Sequence, residues 1–102
     1  MLKQGCVYVM ECLGYYKIGK ALNYSERRKT IEPKLPEKVN DVCVIYGSDY
    51  SQLERVLHSV HRNKRTNGEW FRLDREDVLE LHMLAGNITL TEYLCECQGA
   101  SK

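Results

Sequence analysis

The distribution of apolar and polar residues first predicts three β-strands. Residues 5–12 are mostly apolar and β-prone, Leu13-Gly14 is a suitable turn, and residues 15–19 follow as a second strand, so a hairpin is expected. Residues 42–46 form a continuous apolar run. A run of this length and composition indicates a third strand, buried on both faces.

Three further segments carry the end signals and the periodicity of helices. Asn23 is suited to cap the first, with Glu26 three residues later, and Pro33 requires that helix to end before it. Asp74 is suited to cap the third, which is expected to end before Gly86. The second is the clearest, because apolar residues recur at i, i+3, i+4 and i+7: Leu53, Val56, Leu57 and Val60.

Together these elements predict a single domain over residues 1–102, because a chain of 102 residues has no room for two independent cores. The expected class is α/β (α+β), with a three-stranded antiparallel sheet flanked by three helices. Asn67-Gly68 predicts a turn, followed by a short extended segment. Residues 88–97 are compatible with a strand or a helix, and residues 98–102 are expected to form a frayed tail.

The composition narrows the classes of protein to consider. The formal net charge is +1, so contact with nucleic acid must come from local clusters of basic residues. No apolar run approaches the roughly 20 residues of a membrane span, so no membrane partner is expected. The five cysteines are an odd number, and no signal peptide is expected, because Lys3-Gln4-Gly5 interrupts any apolar start. Free thiols in an intracellular compartment, the cytoplasm or the nucleus, are therefore expected.

The candidate chemistry lies in a tyrosine, several basic residues and one carboxylate. Tyr8 is in the first predicted strand, Lys17 in the second, Arg27 on the first helix and Glu54 on the second. Hydrolysis of a phosphodiester places negative charge on the phosphoryl oxygens, which an arginine and a divalent ion stabilise. Mg²⁺ can bind a single carboxylate together with water and a substrate phosphate. This set of residues is therefore typical of a metal-dependent nuclease.

The order hairpin, helix, strand, helix, with Tyr8, Gly19, Arg27 and Glu54, resembles the GIY-YIG nuclease superfamily over residues 5–72. The chain is more narrowly similar to a small branch rich in phage and viral proteins. That branch is typified by an open reading frame of phage T5 and also occurs in meiotically up-regulated fungal proteins. Three segments carry the narrower likeness: Tyr16-Lys17-Ile18-Gly19-Lys20-Ala21, Leu53-Glu54 with Leu57-His58, and Gly68-Glu69-Trp70-Phe71.

The resemblance implies a role for each matching residue. Tyr8 would take a proton from the attacking water, Arg27 would stabilise the transition state, and Glu54 would bind a single Mg²⁺ (or Mn²⁺) ion. The second tyrosine of the family lies two residues before Gly19, where this chain has Lys17. Because a nearby ammonium favours the phenolate, we expect Lys17 to lower the pKa of Tyr8 and so to substitute for that tyrosine.

Several of these positions have alternative roles. Glu54 is either a metal ligand or part of a capping box with Ser51, and a helix capped by Asp49 favours the metal role. His58 is a ligand, a catalytic group that supports the site, or a packed helix histidine. Trp70-Phe71 are either core residues or platforms on which bases stack.

The predicted function is that of a Mg²⁺-dependent endonuclease that hydrolyses DNA. RNA remains an alternative substrate, and the sequence does not determine the oligomeric state. Lys20, Arg28 and Lys29 are expected to contact the nucleic-acid backbone. One alternative is a non-catalytic nucleic-acid-binding module, which Lys17 in place of the family's tyrosine would suit. Another is a protein-interaction domain that presents an exposed helical stripe: Glu54, His58, His61 and Arg65.

Overall fold

The computed structural model describes residues 5–86, which form a mixed α+β unit. Short 3-10 turns follow the first two helices, at Glu32–Lys34 and Arg62–Lys64. The strands and helices in chain order are β1 Gly5–Cys12, β2 Tyr15–Ala21, α1 Tyr24–Ile31, β3 Asn40–Gly47, α2 Tyr50–Val60, β4 Arg65–Asn67, β5 Trp70–Phe71 and α3 Arg75–Leu84.

The sheet has five strands in the order β3-β1-β2-β5-β4, so the prediction of three strands was wrong. Every neighbouring pair is antiparallel, and the three helices and the α+β class are as expected. The two additional strands span three and two residues. Such strands are too short to show a period of two in the sequence, and they form because the turn at Gly68 (φ 58°) folds β5 between β2 and β4.

The N-terminal hairpin is confirmed, and its second strand continues to Ala21 rather than ending at residue 19. Cys12 pairs with Tyr15 across a two-residue loop in which Leu13 (φ 55°) and Gly14 (φ 86°) are both left-handed. A loop with positive φ at both positions matches the right-handed twist of the strands, although a leucine rarely occupies one. The pairing continues through Tyr8 opposite Gly19 and Met10 opposite Lys17.

Apolar side chains pack on both faces of the sheet. One face carries α2 and α3 and the other carries α1, because alternate strand residues point to opposite sides. The larger core contains Val7, Val9, Ile18, Cys43, Ile45, Leu57, Phe71, Leu73 and Leu81. The smaller core contains Tyr8, Met10, Cys12 and Val39, with Tyr24, Ile31 and Trp70 packed against it.

The third predicted strand exists but is not buried on both faces. β3 is an edge strand that pairs only with β1 among the described strands. Cys43 and Ile45 face the larger core, whereas the Tyr46 side chain is 72% exposed. A continuous apolar run therefore indicated a strand correctly, but its position in the sheet depends on pairing partners that the run itself does not specify.

The predicted helix ends agree with the structure. Asn23 Oδ1 accepts a hydrogen bond from the backbone N–H of Glu26, and Asp74 forms a reciprocal capping box with Asp77. Gly86 follows the end of α3 with φ 76°. Cys6, Cys12 and Cys43 are free thiols. The predictions for residues 88–97 and 98–102 lie outside the described residues, and none of the helices in residues 5–86 is long and apolar enough to cross a membrane.

Candidate metal and active site

Tyr8 and Gly19 form the floor of the candidate site. They pair across β1 and β2, and Tyr8 is fully buried. Its ring packs against Tyr24 of α1, with 5.2 Å between the ring centroids. The Tyr8 hydroxyl is one of two buried side-chain polar atoms in residues 5–86 that lack a hydrogen-bond partner. A buried, unpartnered hydroxyl costs free energy, which makes it a candidate for contact with a substrate or water.

Lys17 lies on the same face of β2 as Gly19 and therefore on the Tyr8 side of the sheet. Its Nζ donates to Glu69 Oε1 at 2.9 Å and lies 5.7 Å from the centroid of the Trp70 ring. Tyr16 packs instead against the larger core on the opposite face. As expected from the strand period, Lys17 and not Tyr16 occupies the position beside the candidate site.

Helix α2 runs along the edge of β2 where the pairing with β5 ends. β5 pairs with β2 at Tyr16 and Lys17. Beyond that point, His58 Nε2 lies 2.7 Å from the carbonyl oxygen of Ile18, and Lys20 Nζ lies 3.4 Å from Ser51 Oγ. The helix packs on the face opposite Tyr8, and these two contacts hold its polar side chains against the end of β2.

Glu54, His58 and Glu69 converge beside this edge. The ligand atoms that they offer all lie within 4.8 Å of one another, and we call these residues the triad. Glu54 is only 7% exposed, and its Oε2 is the second buried oxygen without a partner among residues 5–86. Burial, and then the charge of Glu69, raise the pKa of Glu54. A buried carboxylate next to another carboxylate is stabilised by a proton, as the raised pKa indicates, or by a nearby cation.

The hydrogen bond of His58 fixes the role of its two nitrogens. The Ile18 carbonyl can only accept, so Nε2 carries the proton, and in the neutral ring Nδ1 has the free lone pair. The ring also packs edge-on against Phe71, with centroids 5.1 Å apart. His58 is therefore both packed and placed in the triad, which combines two of the alternatives expected from the sequence.

Glu54 does not act as a helix cap. Helix α2 begins at Tyr50 with Asp49 at the N-cap position, as favoured from the sequence, although the Asp49 side chain makes no capping hydrogen bond. Glu54 thus lies in the second turn of the helix, and its carboxylate is directed to the other triad members. The capping-box alternative with Ser51 is contradicted by this helix boundary.

The charged groups that act on Tyr8 include Arg27 of α1 and two members of the triad, Glu69 and Glu54. Burial is the main cause that raises the pKa of Tyr8, and the carboxylates of Glu69 and Glu54 raise it further. Arg27 on α1 is second only to burial and lowers the pKa of Tyr8, because its guanidinium lies near the hydroxyl, although the two groups do not meet the distance and angle of a hydrogen bond. The expectation that Lys17 would bring the pKa of Tyr8 below its usual value is wrong, because burial outweighs the positive charges and Lys17 pairs with Glu69.

The expected backbone-binding residues have different surroundings. Arg28 binds Asp41 and Glu32 and donates to the Val39 carbonyl, so it connects α1 to β3. Lys29 is exposed, and its Nζ lies 3.8 Å from Glu26 Oε1. Lys20 and Arg27 line an open groove of about 500 Å³ between the end of β2 and α1, together with Leu22, Asn23 and Thr30.

The helical stripe proposed as a protein-binding face is not a continuous exposed surface. Glu54 and His61 are both buried, and His61 Nδ1 lies 3.7 Å from Asp77 of α3. Arg65 is outside the helix, at the start of β4, where its Nε donates to the Gly68 carbonyl. These contacts bind α2 to neighbouring elements and remove the stripe as a continuous surface.

Glu69 belongs to the site, although its position in the sequence predicted no role for it. It belongs to the segment Gly68–Phe71 that carried part of the family likeness, but it is 15 residues from Glu54 in the chain. Only the turn at Gly68 and the pairing of β5 with β2 bring its carboxylate to Lys17 and to the triad. The sequence offered one signal for a role of Glu69: it is a charged residue that directly follows a predicted turn and precedes two aromatic residues.

Residues 5–84 match the T5orf172 domain, which covers most of the chain and nearly all of the described residues. This domain is associated with nuclease-like proteins. No curated protein and no solved structure matches the chain.

Proposed function

Because the chain belongs to the T5orf172 domain family, we propose that it is an endonuclease of GIY-YIG type that hydrolyses DNA phosphodiester bonds with Mg²⁺. The family supports a nuclease-related or DNA-binding role. The observation that favours catalysis is the buried Glu54 carboxylate, which has an unpartnered oxygen within the triad and is coupled electrostatically to Tyr8.

The triad is suited to a divalent cation. Two carboxylates supply hard oxygen ligands and two negative charges, and His58 supplies one imidazole nitrogen. The unpartnered Glu54 oxygen would gain a ligand, and the repulsion between Glu54 and Glu69 would be offset. Oxygen ligands favour Mg²⁺, whereas the added nitrogen makes Mn²⁺ a good substitute. Glu54 would be the principal ligand, because it is the most deeply buried of the three triad residues.

In this proposal Tyr8 first loses its own proton, and the phenolate then receives a proton from the attacking water, with the guanidinium of Arg27 nearby to favour the phenolate. The guanidinium of Arg27 stabilises the negative charge on the phosphoryl oxygens as the bond breaks. A divalent ion bound at the triad would supply further stabilisation of that charge. Lys17 holds the Glu69 carboxylate through its 2.9 Å ion pair and so orients one side of the triad.

The groove lined by Lys20 and Arg27 would hold the phosphate backbone, and Arg27 also interacts with Tyr8. Exposed basic residues at its rim would bind phosphates without regard to sequence and with a strong dependence on salt. Lys29 is suited to this role because it is largely exposed. Arg28 is less suited, since its donors are occupied by contacts within the protein.

The test is cleavage of supercoiled plasmid DNA, with a matched RNA, in Mg²⁺ and in EDTA. The proposal expects metal-dependent nicking or linearisation by the wild-type protein and none by Glu54→Gln. Glu80→Gln is the control, because Glu80 is an exposed glutamate within a helix away from the triad. Equal cleavage by Glu54→Gln and Glu80→Gln would contradict the metal role.

A second candidate function is a nucleic-acid-binding module without catalysis. Lys17 at the position of the family's second tyrosine favours it, and so does the raised pKa of Tyr8, which makes the phenol a poor base at neutral pH. Salt-sensitive DNA binding without cleavage in either Mg²⁺ or Mn²⁺ would select this alternative.

A further inference from the structure

A second concave site lies beside the triad, on the α1 side of the sheet. It is a pocket of about 360 Å³ between the β1–β2 turn, the loop after α1 and the β4–β5 hairpin. Its lining includes the rings of Tyr15 and Trp70 and the side chains of Leu13, Leu35, Pro36 and Thr66. Two aromatic rings with aliphatic walls and few polar groups suit a flat, partly apolar ligand.

The rings of the pocket are held in place from outside. Arg72 Nη2 donates to the Tyr15 hydroxyl at 2.8 Å, and its guanidinium lies 5.1 Å from the centroid of that ring. The backbone of Trp70 is held in β5, where its carbonyl accepts from Thr66 Oγ1 at 3.1 Å, and its side chain packs against the smaller core. These contacts restrict both rings in the absence of a ligand, which reduces the entropy lost on binding.

The rim of the pocket has an unusual residue. Leu13 is 61% exposed and has φ 55°, a conformation that is unfavourable for a leucine. Leu13 therefore has two unfavourable contributions to its free energy. The first is its left-handed backbone conformation, and the second is the exposure of its apolar side chain to water. A ligand that covers Leu13 would recover the second of these costs.

The pocket adjoins the candidate active site through Trp70, which lines the pocket and lies beside Lys17. Lys17 Nζ is 2.9 Å from Glu69 Oε1 and 5.7 Å from the centroid of the Trp70 ring, so this ammonium lies between a triad carboxylate and an aromatic wall of the pocket. Trp70 also directly follows Glu69 in the chain. Lys17 and Arg72 place positive charge beside the rings. The surroundings therefore combine aromatic surface with cations, as in sites that bind unpaired nucleotides.

We propose that this pocket binds an unpaired nucleobase of the nucleic-acid substrate next to the phosphate that is cleaved. The inference rests on the proposed function and adds a substrate class to it: flaps, mismatches or single strands in preference to a continuous duplex. A base within a duplex has both faces covered by its neighbours, so only an unstacked base can enter a pocket lined by Tyr15 and Trp70. Phosphates on either side of that base would lie near Lys17 and Arg72.

The experiment uses Trp70 as its own reporter, because it is the single tryptophan of the chain. The full-length protein is titrated with a single-stranded oligonucleotide in EDTA, where metal-dependent cleavage does not occur, and tryptophan fluorescence is followed. Stacking of a base on the ring is expected to quench the emission. An oligonucleotide of equal length with abasic sites keeps the phosphates and should leave the emission nearly unchanged. Equal quenching by both oligonucleotides would overturn the proposal.

A variant separates the pocket from general phosphate binding. Tyr15→Leu removes one stacking surface and keeps the Trp70 reporter, and it is expected to weaken binding of the single strand by about tenfold. Tyr46→Leu is the matched control, since Tyr46 is exposed on the distant edge strand β3. Unchanged affinity of a folded Tyr15→Leu protein, checked by circular dichroism, would contradict the proposal.

These experiments distinguish a failure of base binding in the pocket from a failure of the proposed nuclease function. Quenching that requires bases, without cleavage in Mg²⁺ or Mn²⁺, would support the pocket and leave the protein as a binding module. Cleavage of duplex and flapped DNA at equal rates, without base-dependent quenching, would support the nuclease and overturn the pocket. Quenching by a hydrophobic dye that nucleic acid does not displace would also overturn it, in favour of an apolar ligand.

Discussion

The ring of Tyr8 lies directly against the backbone of Gly19, in the space where any other residue would place its β-carbon. A Cβ built on Gly19 would be 2.5 Å from Tyr8 Cζ and closer still to the hydroxyl oxygen. Real Cβ atoms are not found at such distances from another heavy atom, so one of the two residues would have to move. The glycine therefore leaves the space that the ring and hydroxyl of a fully buried tyrosine occupy against β2.

Gly19→Ala should be strongly destabilising, by about 2–3 kcal/mol, because the rigid Tyr8 ring has no free space into which to move. Urea unfolding followed by circular dichroism measures the change. Gly47→Ala is the control, since nothing lies within 4 Å of a Cβ at that position. In a Tyr8→Leu background the cost of Gly19→Ala should fall by at least half. An equal cost in both backgrounds would contradict a direct clash.

Glu54→Gln should stabilise the metal-free protein by about 1 kcal/mol at neutral pH, because it removes a buried charge that function requires. The pKa of Glu54 is raised in the folded state, so the folded protein binds this proton more tightly than the unfolded chain does. Its contribution to stability is therefore present below the ordinary pKa of about 4.5 and is lost as the pH rises through the raised value.

Thermal unfolding in EDTA and in Mg²⁺ tests the Glu54 prediction. The wild-type protein should gain stability with the ion, as any ligand of the folded state provides, and Glu54→Gln should gain little. Glu80→Gln should respond to Mg²⁺ as the wild type does. A Glu54→Gln protein that is less stable than the wild type in EDTA would mean that Glu54 has a structural role.

The rate of DNA cleavage should rise with pH into the alkaline range. Tyr8 accepts a proton only as the phenolate, and burial together with Glu69 and Glu54 raises the pKa of Tyr8 above its ordinary value. Rates at saturating DNA and Mg²⁺ should therefore increase without reaching a plateau near neutrality. Tyr8→Phe should abolish most of the increase, and a flat profile for the wild type would exclude Tyr8 as the base.

Lys17→Met should strengthen the binding of Mn²⁺ in the absence of nucleic acid, by about 3- to 10-fold. The ammonium lies 2.9 Å from Glu69 Oε1 and offsets the same negative charge that a divalent ion would offset. Isothermal titration calorimetry measures the affinity, with Lys29→Met on the exposed surface of α1 as the control. Weaker binding by Lys17→Met would mean that holding Glu69 in position matters more than the competing charge.

Local patterns in the sequence determined most of the secondary structure. The Leu13-Gly14 turn, the Asn23 and Asp74 caps and the apolar stripe of α2 each depend on residues close together in the chain, so the hairpin and the helix starts were predictable. The likeness over residues 5–72 also indicated the family that residues 5–84 match. The same local patterns predicted that Tyr8 lies on the first strand, Arg27 on the first helix and Glu54 on the second helix.

Only the tertiary structure decided how the site is assembled. β4 and β5 are too short to leave a periodic signal, and without them Glu69 has no reason to lie beside Lys17 and Glu54. The direction of the pKa shift of Tyr8 likewise depends on complete burial, which outweighs the charge that the sequence suggested. Long-range pairing and desolvation are properties of the packed chain, because each arises from residues that are distant in sequence and are joined only by folding.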